Sequence, residues 1–303
     1  MKENRNDKTL VVITGPTAVG KTRTSIEVAR ELGTSIISAD ARQFYKELKI
    51  GTAAPTPEEM KQVQHYLAGH ISIFDYYNAS QFEKQALDLL ADLFVLHDHV
   101  VVSGGSGLYI DALCEGIDDF PDIDPRVRKR VQQEYADKGL EGLRSWLQLI
   151  DPAYYQEVDI ANPNRMMRGI EIFLQTGNRF SDLRKRTTVQ RPFAIKKIIL
   201  SRPRKELFDR INERTGAMLQ QGIVEEALAF FRYRHLNALN TVGYKELFAW
   251  LENKTSLHQA LENIRTNTRR YAKRQLTWFK KYPDARWFLP TEINAILKYI
   301  REK

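Results

Sequence analysis

Short, wholly apolar runs and longer amphipathic stretches take turns along the first third of the chain. Leu10-Val11-Val12-Ile13, Ser35-Ile36-Ile37-Ser38 and Val100-Val101-Val102 lack polar alternation, the pattern of strands buried on both faces. Between them lie helical periods. One runs over residues 25–32, one is opened by Pro57-Glu58-Glu59 and continues to Leu67, and one has the apolar face Phe82, Ala86, Leu89, Leu90, Leu93 and Phe94. Ser80 and Glu83 are spaced as a capping box for the last of these, residues 51–57 read as a loop, and residues 71–74 read as a brief strand or extended piece. Strands and helices in alternation predict an α/β fold, a parallel sheet with helices on both faces.

From Glu115 to about Val189 the alternation stops. Residues 115–189 read as a helical insertion between a first part (1–114) and a second part (190–303) of one catalytic core. Within it, Asp124-Pro125 opens an amphipathic stretch to Leu149, Asp151-Pro152 breaks it, and Asn162-Pro163-Asn164-Arg165 opens another helical pattern through Phe173. Strand periodicity returns over residues 194–200. A helix over 205–219 then carries Arg210 and Arg214 four apart on one face, with Leu207, Ile211 and Met218 toward the core. Gln221-Gly222 stops that helix, 224–233 is the next, Asn240-Thr241-Val242-Gly243-Tyr244 opens another, and 256–281 is the last long one. In that last helix Ile264, Thr268, Tyr271, Gln275, Trp278 and Tyr282 form one stripe. Polar Thr and Gln inside the stripe suit a helix lining a channel; core aromatics beside a solvated basic face are the alternative.

The first strand and helix flank Gly15-Pro16-Thr17-Ala18-Val19-Gly20-Lys21-Thr22, which fits G-x4-G-K-[ST] in the context that a phosphate-binding P-loop requires. Glycines let successive backbone N–H groups turn inward, and the following helix aims its positive end at the same point. Lys21 is expected on the terminal phosphate and the Thr22 hydroxyl in the shell of a Mg²⁺ ion. Asp40 ends the second strand, so it and the cradle are expected to face one crevice at the carboxyl edge of the sheet; a turn or N-cap aspartate is the alternative. An ATPase would need the strand at 100–102 to deliver an aspartate to the metal. It delivers Ser103-Gly104-Gly105-Ser106-Gly107, a turn through which backbone approaches a ligand and Ser103 or Ser106 hydrogen-bonds it, or simply a tight strand-to-helix turn. Arg210 and Arg214 are spaced so that they could clamp diphosphate oxygens; two surface arginines on one helix face are the alternative.

Charge sharpens the choice of partner. The chain of 303 residues carries a net +8, and between Arg265 and Arg286 eight basic residues stand against Asp284 alone, which raises the odds of a polyanionic partner. Cys114 is the one cysteine, so no intramolecular disulfide forms, and a small buried apolar role in a reducing compartment is expected. The start, Met1 to Lys8, is charged and has no apolar h-region, and no run approaches 18 apolar residues. Both predict a soluble cytoplasmic protein without a membrane span. The six histidines are scattered, without metal-ligand spacing, and no stripe marks an oligomer interface, so a monomer is expected.

Together with the cradle, Ser38-Ala39-Asp40-Ala41-Arg42-Gln43-Phe44-Tyr45, Ile50-Gly51-Thr52-Ala53, Gly104-Gly105-Ser106-Gly107-Leu108-Tyr109, Val242-Gly243-Tyr244-Lys245-Glu246 and Thr268-Arg269-Arg270-Tyr271-Ala272-Lys273-Arg274-Gln275-Leu276-Thr277-Trp278-Phe279 give the chain its resemblance to the bacterial tRNA dimethylallyltransferases, over nearly its full length. The resemblance implies a P-loop NTPase-like core with a channel through it and transfer of a dimethylallyl group from dimethylallyl diphosphate to N6 of the adenosine 3′ of the anticodon. It implies Asp40 as the base. Gly15, Pro16, Thr17, Ala18, Val19, Gly20, Lys21 and Thr22 would cradle the diphosphate, and Arg214 or Arg210 would meet its charge. Contacts to the tRNA anticodon stem-loop are implied for Asp40, Ala41, Arg42, Gln43 and Ser106, for Arg128, Asn164, Arg165, Met166, Met167 and Arg168 of the insertion, and for Arg270, Lys273 and Arg274. The chain departs from the family at Ala41, where Ser is usual, at Ser106, where Thr is common, at Pro163-Asn164, where Asn-Asp is usual before the arginine, and at Gly169, where Ala is usual.

Two other readings share parts of this pattern. A P-loop small-molecule kinase or nucleotide isopentenyltransferase would use the cradle but not the basic C-terminal helix, and a non-catalytic RNA-binding P-loop protein would leave Asp40 idle.

Overall fold

The computed structural model describes residues 8–185 and 188–302. The reading of the charged start rests on Met1 to Lys8 and, Lys8 apart, lies outside the described residues. In chain order the elements are β1 (Thr9–Thr14), α1 (Lys21–Glu31), β2 (Ile36–Ser38), α2 (Pro57–Gln62), β3 (His65–Tyr66), α3 (Ala79–Leu96), β4 (His99–Gly104), α4 (Gly107–Glu115), α5 (Pro125–Ile150), α6 (Pro152–Glu157), α7 (Pro163–Thr176), α8 (Phe180–Leu183), β5 (Ala194–Leu200), α9 (Arg204–Gln220), α10 (Ile223–Phe230), α11 (Tyr244–Leu251), α12 (Leu257–Phe279), β6 (Arg286–Phe288) and α13 (Ile293–Arg301). They divide into two compact units, one formed by the chain up to Glu115 and from Val189 onward, the other by Gly116–Thr188.

The first unit is built on a sheet of order β3-β2-β4-β1-β5-β6 in which every neighbouring pair is parallel. β1 lies between β4 and β5 and all six of its residues are buried, which is why its sequence is an unbroken apolar run. Leu10 and Val12 face a core completed by Phe82, Leu90 and Ile110, while Val11 and Ile13 face one completed by Ile26, Leu207, Ile211 and Ile296. The chain leaves β1 toward β2 on one side and leaves β4 toward β5 on the other, so the order reverses between β1 and β4. Beyond the carboxyl ends at such a reversal a ligand crevice forms. Three segments emerge there: the loop after Thr14, the Ala39-Asp40 turn after β2, and the glycine turn after β4.

Several local expectations are corrected. α2 stops at Gln62 rather than Leu67, because Val63 turns extended and His65–Tyr66 pairs with Ile36 and Ile37 as a two-residue edge strand. Of residues 71–74 only Ile71 pairs as a strand residue, in an isolated bridge to Tyr45. α3 begins at Ala79, with Asn78 and Gln81 as its capping box instead of Ser80 and Glu83. Gln81 donates its backbone N–H to Asn78 Oδ1 at 2.9 Å, and Asn78 donates to Gln81 Oε1 at 3.2 Å. α11 begins at Tyr244 rather than at Asn240, and β6 and α13 extend the fold beyond the last helix read from the sequence.

The second unit is helical around Val131, Leu143, Leu147, Tyr154, Met166, Ile170, Ile172 and Phe180. Its amphipathic stretch is not one straight helix, because Gly139 is left-handed there (φ 63°). Asp151 is wholly buried at the break. It accepts the N–H of Tyr154 at 3.0 Å, capping α6, and both the N–H (2.8 Å) and the hydroxyl (2.7 Å) of Ser181.

Candidate active site

The phosphate loop is shaped by what side chains would prevent. Gly15 has φ 148°, and a Cβ there would stand 2.5 Å from the carbonyl oxygen of Leu200 at the end of β5. Gly20 has φ 114° and leads straight into α1, whose first turn has no acidic residue and no side-chain cap, so its N–H groups are presented to the loop. Val19 is buried and offers the cradle only its backbone. Lys21 Nζ folds back to donate to the carbonyls of Gly15 and Pro16, 3.0 Å each. Burial pushes the Lys21 ammonium down to about 8, against the pull of Asp40 and with a further push from Arg214.

Three arginines after β5 take successive oxygens of the same loop. Arg214 Nη1 donates to the Thr17 hydroxyl at 3.0 Å, Arg210 Nε to Ala18 O at 2.8 Å, and Arg202 Nε to Val19 O at 2.8 Å. Burial lowers the Arg214 pKa, opposed by Asp40 and Tyr271. Arg202 was not singled out from the sequence. Its place just past the carboxyl end of β5 was the available signal.

A cavity of about 400 Å³ opens beside the loop, and Thr17, Arg214, Asp40, Ala41, Arg42 and Ser106 are among its lining residues. Asp40 Oδ1 accepts the Arg42 N–H at 3.1 Å, and Ser106 Oγ accepts the Ala41 N–H at 2.9 Å, so the turn that carries the carboxylate is held from both sides. Ser103 is otherwise engaged, accepting the Ser25 hydroxyl at 2.7 Å. The side chains of Arg42 and Gln43 tie this turn to other backbone segments, and Arg42 also lines the cavity. Arg42 donates to the carbonyls of Asn237 (2.8 Å), Ala238 (3.4 Å) and Asn240 (3.3 Å), and Gln43 to those of Thr52 (3.3 Å) and Ala53 (2.8 Å).

α12 supplies the remaining wall. Ile264, Thr268, Tyr271 and Gln275 line the cavity together with Arg274, while Trp278 and Tyr282 continue the stripe and hydrogen-bond the carboxylate of Asp111, Trp278 Nε1 at 3.1 Å. Gln275, buried, accepts the Thr17 N–H at 2.8 Å and donates to Gly105 O at 2.8 Å, bridging the phosphate loop and the glycine turn. Burial, then the charge of Asp40, pushes the Tyr271 hydroxyl up. Arg270 and Lys273 are exposed beside this wall, Arg270 donating to Asn267 Oδ1 at 3.2 Å.

In the helical unit Arg128 and Arg168 flank Glu171, with N···O separations of 3.5 Å and 4.0 Å, and Asn164 and Arg165 are exposed on the first turn of α7. Burial pushes Glu171 up against the pull of both arginines. The tRNA contact expected of Met166 is corrected: with no accessible surface, its side chain belongs to the core of this unit, and Met167 packs partly buried against the same core.

A scan against protein-family models matches residues 43–282 to the IPP transferase family. Among curated proteins, the chain is 48% identical over 293 residues to tRNA dimethylallyltransferase 1 of Bacteroides thetaiotaomicron, covering 97% of this chain and 95% of that protein. It is 47% identical over 295 residues to tRNA dimethylallyltransferase of Christiangramia forsetii, covering 97% and 98%. Among solved structures, the full-length tRNA isopentenylpyrophosphate transferase of Bacillus halodurans superposes with a TM-score of 0.71 at 31% identity, covering 97% of this chain and 95% of that one. The family model spans most of the chain and the relatives cover nearly all of it, so this chain, with its parallel P-loop-like core, belongs to the IPP transferase family.

Proposed function

We propose that the protein transfers the dimethylallyl group of dimethylallyl diphosphate to N6 of the adenosine immediately 3′ of the anticodon in tRNA, releasing diphosphate. The observation that carries this reading is the single cavity whose lining brings a carboxylate, Asp40, together with Thr17 of the phosphate loop and Arg214. A phosphoryl-transfer reading would call for an aspartate on the metal at the end of β4, and that strand ends in Ser103-Gly104 instead.

The N6 lone pair is delocalised into the adenine ring, so a base must take a proton as the C–N bond forms. Asp40 fills that role, its carboxylate oriented by the Arg42 N–H. The C1–O bond of the diphosphate breaks and its electron pair leaves with the diphosphate. The N6 lone pair forms the bond to C1, and the N6 proton passes to Asp40. The leaving charge is met by the loop N–H groups, by Lys21 and by Arg210 and Arg214, all fixed before the reaction. The adenosine leaves the anticodon-loop stack to reach the carboxylate.

Mg²⁺ fits this donor set. Among the described residues no group of three or more His, Cys, Asp and Glu gathers to cage an ion. Mg²⁺ keeps most of its waters and is commonly held by substrate phosphates, so Thr22 and the diphosphate would hold it. When bound it would help neutralise the departing diphosphate. Among the described residues no helix is long and apolar enough to cross a membrane.

The test offers radiolabelled dimethylallyl diphosphate with Mg²⁺ to unmodified tRNA, AMP and ATP in parallel. Label is expected in tRNA alone, and label in a free nucleotide would favour the nucleotide isopentenyltransferase instead. Asp40→Asn is expected to lower single-turnover transfer by roughly 10²–10⁴-fold with both substrates still bound. Near-normal transfer would remove Asp40 as the base.

A further inference from the structure

Away from the cavity, Phe74 is 61% exposed although its neighbour Ile73 is buried with Tyr45, Leu48 and Leu239. Its ring meets that of Tyr233 edge to face, centroids 4.9 Å apart at 88°. The guanidinium of Arg232 stands 4.5 Å over the Tyr233 ring. Aromatic surface and positive charge therefore lie together facing solvent. Single exposed hydrophobic residues are ordinary, but a ring left outside the core and backed by a second ring and a cation has the composition with which proteins stack unpaired bases.

Both halves of this surface are fastened to the segment that carries Asp40. Glu47 accepts the Ser72 hydroxyl at 2.6 Å and the Ile73 N–H at 3.0 Å, which holds the chain next to Phe74. Arg42 donates to Asn237 O at 2.8 Å, four residues beyond Tyr233, and to Asn240 O at 3.3 Å, where the cavity lining begins. The segments that carry this surface are thus tied, through Glu47 and Arg42, to the stretch that lines the cavity.

We infer that Phe74, with Tyr233 and Arg232 behind it, is a stacking platform for an unpaired anticodon-loop nucleotide next to the adenosine that enters the cavity. The inference rests on the tRNA reading given above. When the acceptor adenosine leaves its stack, the adjoining base loses a partner. An aromatic face outside the cavity replaces that partner and holds the loop in its opened form, while Arg232 adds positive charge toward the phosphate chain.

The test uses the full chain with tRNA and with a short anticodon stem-loop, binding being followed by anisotropy at several salt concentrations. Phe74→Ala is expected to weaken both affinities roughly tenfold, the effect of losing one base–aromatic stack. The slope of log affinity against log salt should not change, because no phosphate contact is lost. KM for tRNA should rise while KM for dimethylallyl diphosphate holds. Phe74→Trp should restore affinity, and the tryptophan emission it adds should be quenched by the stem-loop. Wild-type binding with Phe74→Ala within twofold of it, or Phe74→Trp emission indifferent to the stem-loop, would overturn the platform alone. A wild-type chain that binds no tRNA would overturn the tRNA reading and the platform with it.

Discussion

Thr17 of the phosphate loop donates its backbone N–H to the side-chain oxygen of Gln275, 2.8 Å away on a helix near the other end of the chain. The same amide gives its N–H to Gly105 O at 2.8 Å, so one buried side chain sets the spacing between the cradle and the glycine turn. An amide is the group that satisfies both neighbours, since one side must accept and the other must donate.

Gln275→Leu would strand the Thr17 N–H and the Gly105 carbonyl, each at a cost of about 1–3 kcal/mol where water cannot replace the lost bond. Gln275→Glu keeps the acceptor for Thr17, but it places a carboxylate oxygen against a carbonyl and adds negative charge at the edge of an anion site. Inorganic diphosphate is therefore expected to bind more weakly to the Glu variant than to the Leu variant at pH 7. Calorimetric titration of the two against wild type measures it, and equal affinities would show that spacing alone matters.

Lys21 gives the site its pH dependence. Burial lowers its pKa to about 8, so the free protein holds the charged form below that pH and loses it above. The charged form is the one that attracts diphosphate, so affinity for inorganic diphosphate should be flat up to about pH 7.5 and fall as pH rises through 8 and beyond. Bound diphosphate favours the ammonium and moves the break to higher pH in the complex. Lys21→Arg, charged throughout this range, should bind more weakly overall yet show no alkaline fall. Titrations at pH 7, 8 and 9 decide it; a wild-type affinity unchanged across that range would mean that Lys21 is not the titrating contact.

Much of this arrangement is legible in the sequence where a residue's surroundings are uniform. β1 is flanked by strands on both sides and reads as pure apolar sequence, and the helix after it is announced by Gly20 and Lys21. The stripe on α12 is visible because one helix face meets one cavity wall. β3 and β6 were not legible because edge strands of two and three residues with half-buried or exposed side chains leave no period of their own. Arg202 offered no signal beyond its place past β5, since its partner is a backbone carbonyl distant in sequence, which no pattern of side chains records. Met166 was readable from periodicity alone: it shares a helix face with Gly169 and Ile170, both buried, whereas Arg165 falls on the solvent side.

Gly104 and Gly105 adjoin in sequence but separate fold from function. Neither has the left-handed φ that favours glycine, so alanine at either position is decided by space alone. At Gly104 the new Cβ would lie 2.1 Å from the carbonyl oxygen of Ala39, backbone against backbone where β2 and β4 end side by side, and neither strand can yield without breaking its pairing. Gly104→Ala is therefore expected to cost the fold about 1–3 kcal/mol or more. At Gly105 the Cβ would meet the Nε2 of Gln275 at 2.5 Å, with Asp40 Oδ2 and Lys21 Nζ each at 3.5 Å, and the tip of Gln275 can swing aside. That movement releases Thr17 and narrows the space between the carboxylate and the lysine. Gly105→Ala should hence unfold in denaturant within about 1 kcal/mol of wild type, a repacking-scale change, while transfer to tRNA falls roughly ten- to a hundredfold, the loss of about 1.4–2.7 kcal/mol of positioning. Urea melts and single-turnover assays on the two variants measure both quantities, and a Gly105→Ala chain that transfers at the wild-type rate would show that the Gln275 bridge is not needed for the reaction.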